Sequence, residues 1–145
     1  MIIGGRYMGK RNYAMKLYGS FENFVDLEEF LPDEFHDGLI TNIHAGVKTL
    51  LQKKIDPLGF FAERIESLRH CVITGDEISG GVIPVDQFER SWRSETGKLY
   101  QYLASEADIV DRIFAGLPLR LKPSCSVGDS GLVETGLPSR QPFVF

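Results

Sequence analysis

The chain is poor in cysteine, has a single tryptophan and contains no long apolar run. Its two cysteines, Cys71 and Cys125, lie far apart with no C-x-x-C spacing, which excludes a disulfide framework and a cysteine-based zinc site. No apolar stretch approaches the ~20 residues that span a bilayer as a helix. Met1-Ile2-Ile3 passes directly into glycines and charges, without the apolar core of a signal peptide. From these observations we expect a cytoplasmic protein with no membrane span. Positive charge is not in excess either: 16 lysines and arginines face 20 aspartates and glutamates, a net charge of -4, which argues against nucleic acid as a partner. No internal repeat is visible, and the chain is long enough to bury one core. We expect one domain over residues 1–122. Over residues 123–145, serine, glycine and proline recur without an apolar period, which predicts an irregular, exposed tail.

Within the domain, apolar spacing alternates between strand-like and helix-like segments. Met1-Ile2-Ile3 predicts the end of a buried strand, residues 4–9 a loop, and residues 11–18 a helix closed by Gly19. The acidic stretch 20–37 carries Phe21, Phe24, Phe30 and Phe35, and its best helical piece is 26–30, ahead of Pro32. Gly38-Leu39-Ile40-Thr41-Asn42-Ile43 has the brevity of an interior strand, after which Val47, Leu50 and Leu51 recur at helical spacing until Asp56-Pro57. Leu58, Phe61, Ile65 and Leu68 share one helical face, and Cys71-Val72-Ile73-Thr74 supplies a third strand. Asp86 is suited to cap a helix, with Glu89 three residues later, and Phe88, Trp92, Leu99 and Leu103 form its apolar stripe. Residues 108–114 predict a fourth strand, turned out by Gly116 and Pro118. Such alternation implies an α/β fold with a mainly parallel sheet covered by helices.

The chemistry-bearing residues cluster at two places. Gly4-Gly5-Arg6-Tyr7-Met8-Gly9-Lys10-Arg11 fits seven positions of the phosphate-loop pattern G-x-x-x-x-G-K-[ST] and departs at the eighth. In such a loop, glycines let backbone N–H groups curl round phosphate oxygens, the helix N-terminus adds partial positive charge, and the lysine reaches the outer phosphates. Gly4, Gly5, Arg6, Tyr7, Met8, Gly9, Lys10 and Arg11 are therefore candidate nucleotide-binding residues, with Lys10 catalytic; the same segment also suits an ordinary glycine-rich turn. A guanidinium cannot coordinate a cation, so Arg11 puts magnesium in question. The second place is Asp76-Glu77-Ile78-Ser79-Gly80-Gly81-Val82-Ile83-Pro84. Glu77 follows an interior strand, at the edge where open parallel sheets place ligands, and is a candidate for proton handling or for holding a metal. Arg90 and Arg93 suit a phosphate clamp or solvated pairs with acids such as Glu89.

These residues resemble the bifunctional adenosylcobinamide kinase/adenosylcobinamide-phosphate guanylyltransferase family of cobalamin biosynthesis. That family opens with G-G-x-R-S-G-K-S, and residues 4–11 are similar, with the arginine moved and both serines replaced. Its later N-E-V-G-x-G-I-V-P is similar to residues 76–84. The R-x-F-R-D-x-x-G-x-x-N-Q-x-L-A helix that follows is similar to Arg90-Ser91-Trp92-Arg93-Ser94-Glu95-Thr96-Gly97-Lys98-Leu99-Tyr100-Gln101-Tyr102-Leu103-Ala104. Ala107-Asp108-Ile109-Val110 and Ala115-Gly116-Leu117-Pro118-Leu119-Arg120-Leu121-Lys122 continue the likeness in order.

The resemblance implies a phosphate-loop NTPase fold, ATP or GTP as cosubstrate, a corrinoid acceptor and a homotrimer. It implies phosphorylation of adenosylcobinamide followed by GMP transfer through a guanylylated histidine. The middle of the chain departs from the family. There is no room for its R-I-x-x-H segment, and none of His36, His44 and His70 is identified as the guanylylated residue. His70 ends a helical stretch, where it suits the dipole. Thr41 and Asn42 stand where the family carries an aspartate closing the second strand. The guanylyltransferase half is thus expected to be weaker than the kinase half, and the rival is a noncatalytic nucleotide-binding or assembly protein.

Overall fold

The computed structural model describes residues 1–124, so the tail expected over 123–145 lies almost wholly outside the described residues. Short apolar stretches form the strands β1 (Ile2–Gly4), β2 (Phe24–Asp26), β3 (Leu39–Thr41), β4 (Val72–Asp76), β5 (Val110–Phe114) and β6 (Leu117–Lys122). Between them run α1 (Lys10–Tyr18), α2 (Ile43–Gln52), α3 (Pro57–Ala62), α4 (Ile65–Leu68) and α5 (Gln87–Glu106). One sheet in the order β2-β3-β4-β1-β5-β6 results, parallel through β5, with β6 antiparallel at the edge. The α/β class with a mainly parallel sheet is therefore observed.

Alternation along each strand divides the core in two. In β3, Leu39 packs with Ile2, Ala14 and Ile113 on the α1 side, whereas its neighbour Ile40 joins Ile43, Val47, Leu50, Phe61, Leu99 and Leu103 on the side of α2, α3 and α5. β1, which carries the glycine loop, lies between β4 and β5 in the interior of the sheet. The C-terminal ends of β1, β4 and β5 thus come together where a ligand site of an open sheet forms.

The helix from Asp86 is present, with the Asp86 carboxylate accepting from Glu89 N at 2.9 Å. Three expectations need correction. Residues 26–30 are not helical: residues 24–26 form β2, paired with β3, and the Asp26 carboxylate then accepts from Glu28 N in a side-chain turn. Ladder bonds to β3 outweigh the weak helical preference of a short acidic segment. The face shared by Leu58, Phe61, Ile65 and Leu68 belongs to two helices, α3 and α4, broken at Arg64, whose guanidinium bonds the carbonyls of Asp33 and Phe60. The chain after residue 114 does not leave the sheet. Ala115 and Gly116, both at positive φ (50° and 75°), make a two-residue hairpin into β6. Pro118 is tolerated there because β6 is an edge strand.

Candidate functional site

β1 ends at Gly4 against the backbone of Ile113, and a Cβ there would collide with that carbonyl oxygen, so only glycine lets the loop leave the sheet at this point. Tyr7 (φ 61°) and Gly9 (φ 90°) are left-handed, the kind of conformation from which anion-binding nests of amides are built. Gly116 N donates to Met8 O at 3.0 Å and Ala115 N to Met8 Sδ at 3.3 Å, tying the loop to the β5–β6 hairpin. The amides of Arg6, Tyr7 and Gly9 have no backbone acceptor among the described residues, and no side chain caps α1. A free amide rim therefore meets a helix N-terminus.

Lys10 is the first residue of α1 and is 9% exposed. Its ammonium donates to Gly5 O at 2.7 Å and Gly4 O at 3.4 Å, and pairs with Asp76 Oδ1 at 2.6 Å. Asp76 closes β4, and its Oδ2 lies 3.5 Å from His44 Nε2. Asp76 N donates to His44 Nδ1 at 3.1 Å, which fixes the imidazole proton on Nε2, facing the carboxylate. Burial first, then the nearby Lys10 charge, lower the pKa of His44 against the pull of Asp76, so the imidazole is neutral at pH 7. Tyr100 donates to Asp76 O at 2.7 Å, and burial is the main cause that raises the pKa of its phenol. A lysine, a carboxylate and a neutral histidine thus sit in one bonded row below the loop. On the neighbouring strand ends, Asn42, left-handed at φ 58°, donates to Asp26 Oδ1 at 2.8 Å.

The remaining predicted residues lie elsewhere around this edge. Strand alternation sends Glu77 to the face opposite Lys10, where it takes two bonds from Arg112, at 2.7 and 2.9 Å. There it lines a cavity of about 460 Å³ with Ile3, Ile78, Thr96 and Tyr100. Arg90 donates to the carbonyls of Pro84 and Val85, and Arg93 to that of Val82, so both brace the chain that leaves Glu77. Arg11 lies over the Phe24 ring, 4.5 Å from its centroid, and Arg6 lies 3.8 Å from Glu28. The structure brings together the loop and Lys10, and sets Glu77, Arg90 and Arg93 apart from them.

Asp76, His44, Asn42 and Asp26 carried no site role in the sequence reading, although the first three fall in or beside its motifs. Asp76 had a signal, an acid closing the run Cys71-Val72-Ile73-Thr74-Gly75. His44 had none, because its approach to Asp76 depends on the β3–β4 pairing. His70 lines a cavity of about 570 Å³ at the other end of the strands, with Cys71, Leu103 and Ile109. Among the described residues no group of three or more His, Cys, Asp or Glu is placed to hold a metal ion, and no helix is long and apolar enough to cross a membrane. No protein-family model and no curated protein matches the chain.

Proposed function

We propose that residues 4–11 bind a nucleoside triphosphate and that the chain is an adenosylcobinamide kinase of the kind its motifs resemble. One observation carries this: a buried lysine, first in its helix, is held at the mouth of a glycine loop on the C-terminal edge of a parallel sheet. Its ammonium is held within the loop by Gly5 O and Asp76, so a phosphate entering the amide rim meets a positioned cation. ATP and GTP both satisfy that chemistry. Phosphoryl transfer is mainly a matter of positioning and charge stabilisation, which such a loop supplies. In the family that the motifs resemble, GMP transfer goes through a nucleophilic histidine. His44 is the histidine nearest the loop, and its ring is already engaged by Asp76 through both nitrogens. We therefore expect no protein–GMP adduct.

A noncatalytic nucleotide-binding protein is the second reading. Arg11 in place of a hydroxyl, and the engagement of Glu77 by Arg112, favour it. Transfer of the labelled γ-phosphoryl group from ATP or GTP to adenosylcobinamide separates the two. A kinase shows transfer that falls at least ~100-fold in Lys10→Ala. Transfer no faster than in that variant, with nucleotide still bound, selects the noncatalytic reading.

A further inference from the structure

The phosphate-loop kinases bridge their terminal phosphates with magnesium, held by the hydroxyl that ends the loop and by a carboxylate on a neighbouring strand. The residues at those two positions of this chain do not fit that ion. At the hydroxyl position stands Arg11, which carries donors only. At the end of β3 stand Thr41, whose hydroxyl donates to Val25 O at 3.4 Å, and Asn42, whose amide is bonded to Asp26. Of the two acids at the end of β4, Asp76 has one oxygen 2.6 Å from the Lys10 ammonium and the other directed at His44 Nε2. Glu77 is on the other face and spends both oxygens on Arg112. Three cations, Arg6, Lys10 and Arg11, fall within residues 4–11, and the Arg11 guanidinium rests on an aromatic face, in no salt bridge to a described carboxylate.

We infer that this site takes its nucleoside phosphate without a divalent metal, with Arg11 supplying the positive charge that magnesium supplies in such loops. This rests on the nucleotide-binding reading above. The physical basis is Coulombic. Magnesium cancels part of the nucleotide's charge, so a loop whose attraction comes from fixed guanidinium and ammonium groups binds the free polyanion more tightly than the metal complex. A guanidinium is also always charged and forks onto two phosphate oxygens, which suits it to this replacement. Phe24 is exposed on its strand, and the Arg11 guanidinium rests on its ring, so the cation one residue after Lys10 has no carboxylate partner among the described residues to compete with phosphate.

The test is calorimetric titration of the full chain with ATP, once in excess EDTA and once in excess magnesium, repeated for Arg11→Ser and Arg11→Lys. The expected result is binding in EDTA at least as tight as in magnesium. Arg11→Ser should then weaken binding in EDTA by roughly tenfold, the worth of one charge-assisted contact, and Arg11→Lys should recover part of that loss. Binding that requires magnesium overturns the inference while leaving the nucleotide site in place. Binding in EDTA that Arg11→Ser leaves unchanged overturns the role of Arg11. No binding in either condition overturns the nucleotide-binding reading, and this inference with it. Circular dichroism of Arg11→Ser, a substitution at an exposed position, confirms that the variant folds.

Discussion

At the scale of single residues, the row Lys10, Asp76 and His44 is the most constrained chemistry in the molecule. The Lys10–Asp76 pair is almost removed from water, so deleting one partner leaves a buried charge that costs about 3–5 kcal/mol. His44 must be neutral to accept from Asp76 N, since a protonated imidazole has no acceptor. Its lowered pKa therefore links stability to pH with a definite sign. The unfolded chain binds the His44 proton more readily, so the stabilisation is complete above the ordinary histidine value of 6.5 and is lost as pH falls from there toward the lowered folded-state value. Denaturant titrations at about pH 7.5 and about pH 5.5 should show wild type losing more stability on acidification than His44→Gln. Equal losses in the two proteins would show that His44 does not link stability to pH. Neither Asp76 nor His44 was singled out from sequence, because each acquires its role only when β3, β4 and β1 are adjacent.

At the scale of elements, β4 and α5 fit together through a glycine. A Cβ on Gly75 would strike the Tyr100 hydroxyl and lie 2.6 Å from Ile43 Cγ2, so the Tyr100 bond to Asp76 O depends on glycine at this position. Gly75→Ala should cost about 1–3 kcal/mol by overpacking. Removing the hydroxyl with Tyr100→Phe in the same chain should recover part of that cost, although Tyr100→Phe alone destabilises. Thermal unfolding of the two single variants and the double variant measures the coupling, and strictly additive effects would contradict this packing. The elements legible in the sequence were those whose own residues decide them. Asp86 with Glu89 marks the start of α5, and the β-branched run at Val72 and Ile73 marks β4. β2 and β6 were not legible, because each is a short edge strand made by pairing: Phe24 and Val25 by β3, and Leu117 to Lys122 by a hairpin whose Ala115-Gly116 turn is not a common turn pair.

At the scale of the whole molecule, the parallel order of five strands places the loop after β1 between two neighbours, so that Lys10 and Asp76 meet across 66 residues of sequence although neither segment contains the site alone. The sheet also separates two environments: the loop with Lys10 and Asp76 on the α1 face, and the Glu77–Arg112 pair with its cavity of about 460 Å³ on the α5 face. Another cavity, of about 570 Å³ near His70 and Cys71, lies at the far end of the strands. On the proposed function, nucleotide binds at the loop end of the sheet and not at the other. Amide chemical-shift mapping during titration with ATP in EDTA and then in magnesium tests this directly. The largest changes are expected on residues 5–11, His44 and Asp76, and none in Lys10→Ala. Changes centred on His70, Cys71 and Ile109, or no changes in either condition, would contradict it.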